Sequence, residues 1–116
     1  MAQEEMQAFI RFRFADGHVL TWSVNTEEVR VHFTNWQEAL FTLVFRDVVG
    51  IEALSIEGED LSHGTADSTD PFIERACRVA RDDTEGFLCF AFWSAWADEP
   101  LMRIVARNFS IEDEGE

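Results

Sequence analysis

The sequence predicts an α+β protein: a mainly antiparallel sheet of about six strands, with one amphipathic helix at about residues 71–83 packed on it before the last hairpin. Three observations predict it. Apolar and polar residues alternate with period two through the first third, one segment carries a capped helical period, and residues 87–93 are apolar on both faces. With 116 residues, 47% of them hydrophobic, the chain has the size and core material of a single domain spanning 1–116.

Residues 8–14 (Ala-Phe-Ile-Arg-Phe-Arg-Phe) predict the first strand, with Ile10, Phe12 and Phe14 on one face and Arg11 and Arg13 on the other. Asp16-Gly17 signals a turn, after which Leu20, Trp22 and Val24 continue the alternation. A three-residue loop over 15–17, with Gly17 at positive φ, sets Phe12 opposite Leu20 and Ile10 opposite Trp22. A two-residue loop would set Phe12 opposite Thr21 and mismatch the apolar faces. Val29, Val31 and Phe33 mark a third strand, 34–38 a connection and 39–49 a fourth strand. A short fifth piece follows near 51–56, with Gly50 as a bulge or bend.

Residues 57–70 hold two glycines, several hydroxyls, five acids and no base, and read as an acidic surface loop. Asp70 then caps the helix and Pro71 suits its first position. Phe72, Ile73, Ala76, Cys77, Val79 and Ala80 cover an arc of about 160° at helical spacing. The doubly apolar run 87–93 needs cover on both sides, from the helix and from sheet curvature, the tryptophans or another subunit. Asp98-Glu99-Pro100 turns the chain into a final strand over 101–109, with Met102, Ile104 and Ala106 facing one way. Residues 110–116 form an acidic tail.

The 23 acids face nine bases, all arginine, for a net charge of −14. That balance opposes nucleic acid and anionic membranes and favours a basic protein partner. The longest uncharged run, 86–97, is too short for a membrane span of about 20 residues. The acidic start of the chain is unlike a secretory signal, and a cytoplasmic location is expected. Cys77 and Cys89 fit no metal or redox spacing and read as small buried hydrophobes.

No catalytic residue, metal ligand or cofactor site is predicted. His18, His32 and His63 lack zinc spacing. His63 lies beside hydroxyls and upstream of Asp67, but a triad is assembled from distant, rigid segments, so this stretch reads as a solvated loop. Arg11, Arg13, Arg30, Arg103 and Arg107 fall on outer strand faces, where ion pairs are favoured over an anion pocket. The binding residues the sequence suggests are Trp22, Trp36, Trp93 and Trp96, with Arg103 and Arg107, as an aromatic and arginine-lined cleft.

Asn35-Trp36-Gln37, Leu43-x-Phe45-x-Asp47-Val48, Phe90-x-Phe92-x-Ser94-Ala95-Trp96 and Pro100-Leu101 give residues 30–109 a pattern that resembles small uncharacterised bacterial proteins, some of them immunity proteins of polymorphic toxin systems. The resemblance implies an acidic inhibitor of one cognate toxin and assigns no contacting residue. The expected function is therefore a non-enzymatic interaction protein, immunity- or antitoxin-like, acting on a basic partner. The alternatives are a small-molecule binder or small enzyme using the cleft, and a self-associating homo-oligomer from a mobile-element gene.

Overall fold

The computed structural model describes residues 2–26 and 28–113. Among them the chain forms, in order, α1 (Ala2–Arg11), β1 (His18–Val24), β2 (Glu28–Thr34), β3 (Leu40–Arg46), β4 (Gly50–Ala53), β5 (Leu61–Asp67), α2 (Pro71–Ala80), β6 (Leu88–Ser94), β7 (Pro100–Ala106) and β8 (Asn108–Asp113). The α+β class holds, but the strands divide into two four-stranded antiparallel sheets, ordered β1-β2-β3-β8 and β4-β7-β6-β5. The six-stranded single sheet with one helix is thus replaced by eight strands and two helices.

The sheets close on one aromatic core. Phe45 and Phe109 from the first sheet meet Phe90 and Phe92 from the second, and Phe33 is joined to Phe92 through Phe14, all buried. Phe9 of α1 enters between them, with ring centroids 5.0–6.1 Å apart throughout this cluster and mostly edge-on. The predicted strand over 8–14 is therefore corrected: 8–11 are the last turn of α1, and Phe12 and Phe14 follow in the connection to β1. Good helix formers (Ala2, Gln3, Glu4, Glu5, Met6, Gln7, Ala8) precede this stretch, and Met6 and Phe9 share the core-facing side at i, i+3. Ile10, the expected inward residue, is exposed. Neither proposed first hairpin exists, because β1 pairs with β2 (His18↔Thr34, Trp22↔Val31), and positive φ in the turn falls on Asp16, at 65°.

The acidic loop over 57–70 is also corrected, since residues 61–67 form β5, which pairs with β6 from Leu61↔Ser94 to Asp67↔Cys89. Gly64 explains why so polar a segment fits here: a Cβ on it would lie 2.6 Å from both the Phe9 and Phe14 rings. The tail is shorter than expected, because 110–113 belong to β8, whose pairing with β3 includes Leu43↔Ile111; residues 114–116 lie outside the described residues. The single return strand over 101–109 is split at Arg107, where the chain passes from one sheet to the other.

Residues 88–94 form an interior strand covered on both sides, as their composition requires. Leu88, Phe90 and Phe92 face the inter-sheet core, while Cys89 joins Phe87 and Val105 under α2. Asp70 accepts the Phe72 amide at 2.8 Å, with Pro71 at the first position. The helix stops at Ala80 because Arg81 turns left-handed (φ 61°), with Asp82 N–H donating to the Cys77 carbonyl. Its buried face is Ile73, Ala76 and Cys77, narrower than predicted; Val79 is exposed. Both thiols are free, and burial pushes them up, Cys89 to about 12.

Candidate interaction surface

Four connections gather at one end of the molecule: 12–17, 35–39, 54–60 and 95–99. Backbone hydrogen bonds tie them together. Asp16 N–H donates to the Leu61 carbonyl at 3.0 Å, Leu61 N–H to Gly17 at 2.9 Å and Ala95 N–H to Asp60 at 3.0 Å. His18 opposite Thr34 brings the β2–β3 turn alongside.

Two of these turns present a tryptophan in the same way. Asn35 Oδ1 accepts the amides of Gln37 and Ala39, both at 2.9 Å, and leaves Trp36 at the tip, 62% exposed. Ser94 Oγ accepts the amides of Trp96 and Ala97, both at 3.0 Å, and leaves Trp96 79% exposed. In each turn the acid two residues on takes a left-handed conformation, Glu38 at φ 66° and Asp98 at φ 55°. Such side-chain-to-backbone bonds hold a loop without a core beneath it.

Charge is strongly one-sided here. Asp16 and Glu38 come from the first two connections, Glu57, Glu59 and Asp60 from the third, and Asp98 and Glu99 from the fourth; all seven are exposed. Among the described residues, the ion pairs lie elsewhere. Arg30 contacts Glu28 (2.6 Å) and Glu112 (2.7 Å), Arg46 contacts Glu28 (3.8 Å), Arg103 contacts Glu52 (3.6 Å), and Arg107 reaches Asp82 and Asp83 (3.4 Å each). Arg13 is the one arginine in these four connections. Exposed Leu54 adds an apolar side chain to the third connection.

Beside this end lies an open cleft of about 470 Å³ bordered by Phe12, Arg13, Asp16, Trp36, Ser62 and His63. A bulge at Ser62, where the β5–β6 register shifts, turns neighbouring side chains to one side, so Ser62 Oγ meets His63 Nδ1 at 2.5 Å. Trp93 stacks on His63 at 5.5 Å and 10°, and its Nε1–H donates to Thr65 Oγ1 at 2.9 Å. Asp67 does not complete a triad. Its carboxylate accepts the Thr69 amide and hydroxyl, which hold it below the usual carboxylate range.

The six residues singled out in the sequence are thus dispersed. Trp36 borders the cleft, Trp93 backs it through His63 and Trp96 stands on the neighbouring turn, whereas Trp22 is half-buried on β1. Arg103 is tied to Glu52, and Arg107 lies over the Phe87 ring at 4.3 Å while reaching the Glu85 carbonyl. Among the described residues, none of the main clefts is lined by all six. The acids of the loop end were visible only as composition, since their convergence depends on which strand ends meet.

Among the described residues there is no cluster of histidine, cysteine and acids able to hold a metal ion, and no helix is long and apolar enough to cross a membrane. The surface defines an antiparallel two-sheet protein with an acidic, tryptophan-bearing loop end. No family model, curated protein or solved structure matches the chain.

Proposed function

We propose that this chain is a non-enzymatic, cytoplasmic interaction protein whose loop end binds a basic protein partner, as an immunity- or antitoxin-like inhibitor would. One observation carries the reading: seven exposed acids, none of them in an ion pair among the described residues, share one end of the fold with Trp36, Trp96 and Leu54. Exposed tryptophans are the residues most able to anchor a protein interface, and the acids steer a basic surface toward them. The test is to sequence the DNA flanking the gene and to measure, by calorimetry and stopped-flow binding, the association of this chain with any basic protein encoded there. Trp96→Ala is expected to weaken binding by about 2 kcal/mol. Association should slow about tenfold or more between 50 and 500 mM salt. Salt-independent association, or full affinity in a Trp36→Ala/Trp96→Ala double variant, would overturn the reading.

A second reading, a small-molecule binder, is supported by the cleft between Trp36 and His63. It predicts a ligand-dependent rise in melting temperature that Trp36→Ala removes.

A further inference from the structure

The four sheet edges are not equally protected. β5 and β8 have α1 packed against them, and β4 is four residues long. β1 is seven residues long and carries no Asp, Glu, Lys or Arg, the charges that usually blunt an edge. Among the described residues, backbone bridges cover only its first two positions: His18 bridges to Asp60, Val19 bridges to Glu57, and the Val19 carbonyl accepts from Gly58 N–H at 2.9 Å.

The pairing shows which backbone groups remain. Asn25 N–H donates to the Glu28 carbonyl at 2.9 Å, so the alternation of an antiparallel ladder turns Ser23 and Thr21 toward β2 and the N–H and C=O of Trp22 and Val24 outward. The side chains of Trp22 and Val24 share the face of their partners Val31 and Val29, which are fully buried. A strand added to this edge would therefore aim every second side chain at the seam between the sheets. The seam has room for one. A groove of about 250 Å³ lies there, walled by Val24, Val29, Val48, Val49 and Ile51.

We infer that β1 accepts an extended segment of the partner as an added strand, with an aliphatic residue in the Val24–Val48–Ile51 groove and arginine or lysine running toward Glu57, Glu59 and Asp60. The basic character of the segment rests on the function proposed above; the edge and groove do not. A second copy is the weaker occupant, because both chains carry −14.

The probe is a short, end-capped synthetic peptide of alternating arginine and valine, followed by amide hydrogen exchange in the ¹⁵N-labelled full chain. The Trp22 and Val24 amides should exchange fast in the free protein and slow about a hundredfold with peptide at a hundred times its Kd. Val24→Pro removes an outward N–H and no β1–β2 bond, so it should fold and lose this protection. The wild-type exchange decides the matter even where that variant does not fold. Unchanged Trp22 and Val24 exchange overturns the inference, as does protection that grows with protein concentration alone and so assigns the edge to a second copy. Perturbation confined to Trp36 and Trp96 overturns strand addition while leaving the loop-end surface intact.

Discussion

At the scale of the residue, Phe9 makes ring contacts in the core with Phe14, Phe45, Phe90, Phe92 and Phe109. It touches rings from both sheets as well as Phe14, and Gly64 leaves open the space it shares with Phe14. Phe9→Ala should cost about 3–5 kcal/mol, read from the urea midpoint, because rigid strands on two sides cannot collapse into the space. A cost below about 1 kcal/mol would show that α1 contributes little to the fold. The burial of Cys77 and Cys89 was legible from their apolar neighbours. The role of Phe9 was not, since Phe9 looks like one member of an alternating run until the helix formers ahead of it are weighed. Trp36 and Trp96 were legible as aromatics beside turns, but not as a pair, because 60 residues separate them in the chain.

At the scale of the element, α2 shows local signals and tertiary packing in agreement. Asp70→Ala should cost about 1 kcal/mol by loss of the cap to Phe72 N–H, with Asp70→Asn or Asp70→Ser largely retaining it, as thermal melts would report. Equal stability of Asp70→Ala and wild type would assign the helix boundary to packing alone. β2, β3 and β6 were readable for the same reason, each having a period that matches its two environments. β5 was hidden by its bulge: with an extra residue at Ser62, the inward positions run Leu61, Gly64, Ala66, which breaks strict alternation. Its glycine, serine and threonine content is that of a loop. Small inward residues were the available signal, and they have meaning only once two phenylalanines are known to press on them.

At the scale of the whole molecule, charge and topology act together. Arg30, Arg46, Arg103 and Arg107 are drawn into ion pairs away from the loop end, so the seven acids there, with Arg13 alone among them, repel one another. Added salt should therefore raise the melting temperature by a few degrees between about 20 and 500 mM sodium chloride, through screening over about 10 Å or less. A falling melting temperature would mean that the Arg30–Glu28–Glu112 and Arg107–Asp82 contacts outweigh the repulsion. The meeting of Phe9 with Phe109 has a further consequence, in time. These rings are made 100 residues apart, about 5–20 s of translation at cellular rates. During that interval the helix that completes the core has no finished core to enter, and its aromatic face is open to whatever waits at the ribosome.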